Sequence, residues 1–149
     1  MTSHKRIKVL FVCALNTSRS QMAEAFLSHF AGERFEAHSA GLWPETIINP
    51  LAVEVMREIG LDISKNRPKG ITEFCTDNTD FDFFITVCDK VSSVHCTVLS
   101  GFAKIIHWYF EDPADLEDDR NSKLERTRHI RDKIQIAVQA FIAQISFIE

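Results

Sequence analysis

The spacing of apolar residues changes repeatedly along the first half of the chain. A short β-branched and aromatic run over residues 7–12 predicts a buried strand, and the apolar positions of residues 20–30 share one face of a helix. Residues 35–41 predict a second strand. A helix is then predicted over residues 49–59, with Pro50 at its first position and a glycine just after its end.

The second half continues the alternation and ends in one long helix. Residues 81–88 predict a third strand and residues 103–108 a short fourth. Ser122 lies three residues before Glu125, and this spacing predicts a capping box at the start of a helix that runs to about residue 145. The predicted buried stripe of this helix is Ile130, Ile134, Val138, Phe141 and Ile145.

Strands that alternate with helices predict an α/β fold with a parallel sheet covered on both faces. The length of 149 residues favours one domain over residues 1–149. Ligands of such sheets bind outside the carboxyl ends of the strands. Cys13 ends the first predicted strand, Cys88 ends the third and Asp112 follows the fourth, so the topology places all three at one edge.

Charge and hydropathy narrow the classes of partner. The chain has 17 Lys and Arg against 21 Asp and Glu, a formal net charge of -4, which disfavours nucleic acid as a partner. Its apolar runs fall short of the roughly 18 residues that a membrane span needs. The amino-terminal apolar stretch is interpreted as the first strand and not as a signal peptide, so we expect a cytoplasmic protein without membrane contact.

The cysteines indicate thiol chemistry more than a disulfide framework. Reduced, metal-bound or redox-active thiols are the options in a chain without an export signal. A zinc site could be drawn from Cys75, Cys88, His95, Cys96 and His107. The chain lacks the paired ligand spacing of structural zinc sites, so we expect no metal and no cofactor, and we interpret Cys75 as non-catalytic.

A Cys-x5-Arg-Ser sequence stands between the first strand and the first helix. A loop of this length can surround a tetrahedral oxyanion with backbone N–H groups, and Arg19 can offer two donors to it. The same donors predict a low pKa for Cys13, with the thiolate predominant at neutral pH. Ser20 can bond the sulfur and Asn16 can brace the loop. The predicted oxyanion-binding loop is Ala14, Leu15, Asn16, Thr17, Ser18, Arg19 and Ser20.

The pattern Cys-x5-Arg by itself is weak. A buried cysteine and a surface arginine can stand six residues apart by chance, and Asp112-Pro113 can equally be a turn in a polar loop. Asp115, Asp118 and Asp119 are interpreted as a solvated acidic face. The strand-loop-helix context favours the anion loop.

Several segments together resemble one family. They read VLFVCALNTSRSQMAEAF, SAG, NPLAVEVMREIGLDIS, FITVCDK and HWYFEDPADLEDD. The chain resembles the low-molecular-weight tyrosine phosphatase superfamily and, within it, the thiol-coupled arsenate reductases. The resemblance implies a three-layer domain with a four-stranded parallel sheet in the order 2-1-3-4. Gln21 stands where the phosphatases typically have proline, which is similar to the reductase branch.

The resemblance implies a reaction course. Cys13 attacks arsenate while Asp112, the general acid, protonates the departing oxygen. Cys88 then attacks the sulfur of Cys13 and arsenite departs. Cys96 finally attacks Cys88 and leaves a disulfide for thioredoxin to reduce.

Alternatives remain open at the sequence level. The spacing from Cys88 to Cys96 is one residue longer than is common in the family, and Thr97 stands in place of proline, so a glutathione-, glutaredoxin- or mycothiol-type thiol could resolve the intermediate instead. Cys88 could also be only a small apolar residue that closes a buried strand. A phosphatase would need neither distal cysteine and would form a cysteinyl-phosphate intermediate. A non-enzymatic oxyanion-binding module is the third class, supported by Leu15 at a position where many phosphatases have glycine.

Overall fold

The structure is a computed structural model that describes residues 5–74, 81–88, 103–115 and 119–148. Every predicted strand and helix is present within these ranges. The strands are β1 (Ile7–Cys13), β2 (Phe35–Gly41), β3 (Phe83–Thr86) and β4 (Lys104–His107), and the helices are α1 (Arg19–Ala31), α2 (Pro50–Glu58) and α3 (Arg120–Ile148). Single 3-10 turns lie at Ile71–Phe74 and Pro113–Asp115.

The four strands form one parallel sheet in the order β2-β1-β3-β4, as predicted. β1 lies between two neighbours, and its residues 9–12 are fully buried. This explains why the segment reads as a continuous apolar run, because a strand covered on both faces has no solvent side. The carboxyl end of β1 therefore opens at the middle of the sheet edge.

The third strand is shorter than predicted. The ladder of β3 ends at Thr86, which pairs with Val12 of β1. The Val87 N–H still donates to the Val12 carbonyl at 2.9 Å, so the chain stays beside β1 up to Cys88. Cys88 thus lies at the same edge of the sheet as Cys13, two residues after the neighbouring strand.

Helix α3 carries the predicted buried stripe, and all five of its members are buried. The ring of Phe141 lies 5.6 Å from that of Phe35 in β2 and 5.1 Å from that of Phe83 in β3, measured between centroids. This aromatic contact joins the helix to the sheet. In the part of the chain that the structure describes, no helix is long and apolar enough to cross a membrane.

Helix α2 has the ends that the sequence predicts. The Asn49 side chain accepts a hydrogen bond from the Leu51 N–H at 2.9 Å, and Pro50 is the first helical residue. Beyond the last turn, Gly60 has φ 83° and its N–H donates to the Arg57 carbonyl at 3.0 Å. A left-handed residue at this position stops a helix, and glycine adopts it without steric cost.

The predicted capping box of α3 is wrong. The helix begins at Arg120, so Ser122 lies inside its first turn. The Ser122 N–H donates to a carboxylate oxygen of Asp119 at 2.9 Å, and the Asp119 carbonyl accepts from the Lys123 N–H at 2.9 Å. The hydrogen bonds of the Ser122 N–H and side chain to the carboxylate lower the pKa of Asp119. Asp119 is the helix cap because its carboxylate meets the free N–H groups of the first turn, and it is not merely a solvated charge.

A cluster of ion pairs joins α2 to α3. Glu58 at the end of α2 accepts two bonds from the Arg128 Nε and Nη2 atoms, at 2.9 and 2.8 Å to its two oxygens, and one from Arg131 Nη1 at 2.9 Å. Arg131 is mostly buried and also donates to the Val55 carbonyl. The hydrogen bond from Arg128, followed by that from Arg131, lowers the pKa of Glu58.

We expect Glu58→Gln to lower the free energy of unfolding at pH 7, because Arg128 loses its paired carboxylate and Arg131 keeps only Asp132. The folded-state pKa of Glu58 is depressed, so its contribution is fully present above the ordinary value of about 4.3 and is lost as the pH falls through the folded value. The difference from wild type should therefore shrink between pH 5 and pH 3, measured by urea denaturation. Glu33→Gln, which changes an exposed carboxylate after α1, is the control. A pH-independent difference would contradict the prediction.

Candidate active site

The loop between β1 and α1 is held from behind by hydrogen bonds to its carbonyl groups. Each carbonyl oxygen of residues 13–18 accepts a hydrogen bond from another part of the chain. The donors are the N–H groups of Leu42 to Cys13 at 3.1 Å, Trp43 to Ala14 at 2.8 Å, Glu45 to Leu15 at 3.2 Å, Asn49 to Thr17 at 3.0 Å and Met22 to Ser18 at 2.8 Å, and the Gln21 side-chain amide to Asn16 at 3.3 Å.

This arrangement fixes the direction of the loop's N–H groups. In a trans peptide, the carbonyl of one residue and the N–H of the next point in opposite directions. The N–H groups of residues 14–19 are therefore turned away from the donors behind the loop. The N–H of Asn16 shows where they face, because it donates to the sulfur of Cys13 at 3.1 Å. A concave row of N–H groups around a thiol is suited to an anion.

Gly41 allows the loop to lie close to the chain that follows β2. A Cβ atom at this position would stand 2.9 Å from the Ala14 oxygen, the Asn16 nitrogen and the Leu15 carbonyl carbon. Real Cβ atoms do not approach backbone so closely, so a larger residue would push the loop away. The glycine of the SAG sequence is thus a packing requirement of the anion loop.

Asn16 braces the loop as the sequence predicted. It is fully buried with φ 56°, a left-handed conformation, and its side-chain amide donates to the Ser20 hydroxyl at 2.7 Å. Its side-chain oxygen accepts from the backbone N–H of Lys69 at 2.7 Å. The left-handed residue is Asn16 and not Leu15, so leucine at the glycine position of many phosphatases causes no backbone strain here.

The sulfur of Cys13 lies in this loop, 2.9 Å from the Ser20 hydroxyl oxygen. The residue is only 2% exposed. The expectation of a low pKa is wrong for this arrangement: burial raises the pKa of the Cys13 thiol above its ordinary value. The Ser20 hydroxyl, the charge of Arg19 and the Asn16 N–H lower the pKa, but the loss of water around the sulfur outweighs them.

Arg19 is hydrogen-bonded to the segment that follows β4. Its Nη2 atom donates to a carboxylate oxygen of Asp112 at 3.1 Å, and its Nη1 atom donates to the Phe110 carbonyl at 3.0 Å. Both charged side chains are nearly buried, 6% and 12% exposed. The second oxygen of Asp112 accepts from the Ala114 N–H at 3.0 Å. The structure thus brings together two predicted site residues that are 93 positions apart. The guanidinium of Arg19, which was predicted to bind the oxyanion, is hydrogen-bonded to Asp112.

The distal cysteines differ in what the structure shows. Cys88 is a free thiol, 3% exposed, at the carboxyl end of β3. Cys96 lies outside the described residues, as do Cys75, His95 and Thr97. Among the residues that are described, no three His, Cys, Asp or Glu side chains come together as metal ligands.

Sequence reasoning missed the supports behind the loop. Gln21 was distinguished only by the absence of proline, and neither residues 42–48 nor Lys69 carried a motif. Most of these supports act through backbone N–H groups, which every residue except proline possesses, so residue identity gives no signal for them. Gln21 is the exception, since a buried amide in the first turn of a helix needs partners.

Comparison with known proteins identifies the family of the chain. The family model described as low molecular weight phosphotyrosine protein phosphatase matches residues 8–147. The chain belongs to this family. An arsenate reductase of Shouchella clausii is 33% identical over 133 residues, which cover 89% of this chain and 93% of that protein.

Solved structures of this phosphatase family agree with the fold. An arsenate reductase in its phosphate-binding state superposes with a TM-score of 0.76 at 30% identity, covering 93% of this chain and 98% of the other. A thioredoxin-dependent arsenate reductase of Corynebacterium glutamicum gives a TM-score of 0.62 at 30% identity, covering 93% of this chain and 65% of that longer chain.

We expect Ser20→Ala to raise the pKa of Cys13 further, because the hydroxyl bond is the largest influence that lowers it. Alkylation of Cys13 by iodoacetamide at pH 7 should slow roughly twofold to tenfold, which corresponds to the roughly 0.5–1.5 kcal/mol that one net hydrogen bond contributes. Mass spectrometry of the Cys13 peptide gives the rate at each pH. Ser28→Ala, at an exposed position of α1, serves as control. An unchanged pH profile in Ser20→Ala would overturn the expectation.

We expect Asp112→Asn to lower the pKa of Cys13. The amide keeps the size of the side chain but removes the negative charge that neutralises Arg19, so more of the guanidinium charge acts on the sulfur. Alkylation of Cys13 at pH 7 should accelerate severalfold. Glu111→Gln, which removes the neighbouring carboxylate paired with Arg126, should leave the rate near wild type. Slower alkylation in Asp112→Asn would contradict this account of the pair.

Proposed function

We propose that the chain reduces arsenate to arsenite, with Cys13 as nucleophile and Cys88 as the thiol that completes the reduction. One observation carries the proposal: a second free thiol, Cys88, lies at the same sheet edge as the loop thiol, two residues beyond the adjacent strand. Hydrolysis of a phosphate ester has no use for it, whereas reduction of an oxyanion needs two electrons that a pair of thiols can supply. The arsenate reductases among the relatives support this choice.

Binding of the oxyanion is the first step. The N–H groups turned inward from residues 14–19 donate to the anion oxygens, and Arg19 exchanges Asp112 for the anion. The buried Ser18 hydroxyl, which has no hydrogen-bond partner within the described part of the chain, gains an acceptor.

Covalent attack follows. The Cys13 sulfur forms a bond to arsenic, and one As–O bond breaks. Asp112, released from Arg19, takes up the proton that the Cys13 thiol gives up and passes it to the departing oxygen, which leaves as water. Arsenic remains in its pentavalent state in this thiol adduct, and no electrons have yet been transferred.

Reduction occurs when the Cys88 thiolate attacks the Cys13 sulfur. An S–S bond forms, the S–As bond breaks, and its electron pair stays on arsenic, which leaves as trivalent arsenite. The two sulfurs are oxidised together and arsenic is reduced by two electrons, so the step balances. Cys96 then attacks Cys88, which releases the Cys13 thiolate and forms a Cys88–Cys96 disulfide.

A thioredoxin-type dithiol reduces this disulfide and completes the cycle. The thioredoxin-dependent relative supports that partner. A glutathione- or glutaredoxin-type thiol is the alternative reductant, and it would attack the Cys13–Cys88 disulfide directly. Comparison of the two reductants with the same protein separates these routes.

Phosphate-ester hydrolysis is the second candidate. The Arg19–Asp112 pair and the Cys13 thiol are the groups that a cysteinyl-phosphate mechanism would use, and the family is named for phosphotyrosine phosphatases. In this reaction Asp112 protonates the ester oxygen and later activates water. The same protein can be tested for both reactions.

We expect Cys88→Ser to abolish multiple turnover of arsenate with thioredoxin, because the Cys13–arsenic adduct has no thiol to break it. The same variant should retain any hydrolysis of p-nitrophenyl phosphate, since that reaction uses only the loop and Asp112. Thioredoxin oxidation and arsenite release are measured side by side. Cys75→Ser is the matched control and should turn over arsenate like wild type.

Two outcomes would reject the reduction. If Cys88→Ser retains arsenate turnover, the relay through Cys88 is wrong. If the wild type hydrolyses the ester rapidly and releases no arsenite with any of the thiol reductants, the phosphatase assignment replaces it.

A further inference from the structure

One carbonyl of the anion loop is bound differently from its neighbours. The Asn16 oxygen accepts from the side chain of Gln21, whereas the other carbonyls of residues 13–18 accept from backbone N–H groups. Gln21 belongs to the first turn of α1 and is fully buried. Burial of an uncharged amide is costly unless its polar atoms are bonded, so the contacts of this side chain define its role.

Gln21 uses both ends of its amide. The Nε2 atom lies 2.9 Å from the side-chain oxygen of Asn16, 3.3 Å from the Asn16 carbonyl oxygen and 3.2 Å from the Arg67 carbonyl oxygen. The Oε1 atom accepts from the side-chain amide of Asn66 at 3.1 Å. An amide nitrogen has two protons, so they are shared among three acceptors. The side chain thereby ties the loop to residues 66–67.

The residue that Gln21 holds is the one on which the loop geometry depends. Asn16 has a left-handed backbone, which asparagine tolerates better than most residues other than glycine but at which other residues would be strained. Its N–H and its side-chain amide contact Cys13 and Ser20 respectively, and Ser20 contacts the same sulfur. A rotation of the peptide unit at Asn16 would disturb all of these bonds together.

We propose that Gln21 is a positioning residue, which holds Asn16 in its left-handed conformation and so sets both the affinity of the loop for oxyanions and the reactivity of Cys13. Gln21 does not touch the sulfur; it acts through Asn16. The inference rests on the proposed oxyanion loop but not on arsenate as the substrate. It makes glutamine at this position a requirement of the loop rather than a neutral substitute for proline.

The test compares two variants that remove different hydrogen bonds of the Gln21 side-chain amide. Gln21→Leu removes the bonds to Asn16, while Asn66→Ala removes only the bond to Oε1 and leaves the Nε2 bonds. Inorganic phosphate and arsenate are used as probes that protect Cys13 from iodoacetamide. In Gln21→Leu the apparent dissociation constant of each anion should rise roughly fivefold to tenfold, as expected for the loss of one to two neutral hydrogen bonds. In Asn66→Ala it should stay within about twofold of wild type.

The pH profile of alkylation supplies a readout that a merely structural role would not move. Gln21→Leu should shift the profile of Cys13 to higher pH, because the Asn16 and Ser20 bonds that stabilise the thiolate lose their support. Asn66→Ala should keep the wild-type profile. Circular dichroism establishes that each variant is folded, and Gln21→Met, of similar length but without donors, replaces Gln21→Leu if the latter does not fold.

The outcomes separate this inference from the proposed reaction. Wild-type anion affinity and pH profile in Gln21→Leu and Gln21→Met would overturn the positioning role, as would equal losses in Asn66→Ala. If the anions protect Cys13 in the wild type but not in Gln21→Leu, and the wild type releases no arsenite, the positioning role is supported and arsenate reduction is rejected. Failure of both anions to protect the wild type would overturn both proposals.

Discussion

The outward direction of the carbonyl groups of residues 13–18 is the constraint on which the rest of the site depends. A loop of six peptides that leaves its N–H groups free for an anion must bond its carbonyls elsewhere, because buried polar groups without partners are costly. The chain after β2 supplies most of these partners through backbone N–H groups. Gly41 permits the close approach, since any Cβ would meet the loop backbone. The fold around β1 and β2 is therefore as much a part of the anion site as the Cys-x5-Arg sequence itself.

Burial and charge have opposite effects on the pKa of the Cys13 thiol. The loop excludes water from the Cys13 sulfur, and this raises its pKa although several donors surround it. Arg19, whose charge opposes that effect, is bonded to Asp112 and the Phe110 carbonyl. A nearly buried ion pair is stable only while each partner keeps its counter-charge. The same arginine is therefore shared between the carboxylate, the thiol and any oxyanion that enters, and this links anion binding to the state of the nucleophile.

The patterns that predicted strands and helices correctly are local features of the chain. Residues 9–12 read as a buried strand because they are apolar on both faces, and the stripe of α3 reads as a helix face because its spacing follows the helical period. The start of α3 was misplaced because Asp119 and Ser122 are both good caps in sequence terms. Which one is used depends on where the helix axis lies after packing against α1 and the sheet, and sequence spacing does not contain that information.

The sequence by itself determined the order of strands and helices, the parallel sheet, and the edge at which Cys13, Cys88 and Asp112 stand. It did so because apolar periodicity and chain connectivity restrict parallel sheets to few arrangements. Only the tertiary structure decided that Arg19 pairs with Asp112, that burial raises the pKa of the Cys13 thiol, and that Gln21 supports the loop. Hydrogen-bond direction and desolvation depend on atoms brought together from distant parts of the chain, so they exist only once the fold has formed.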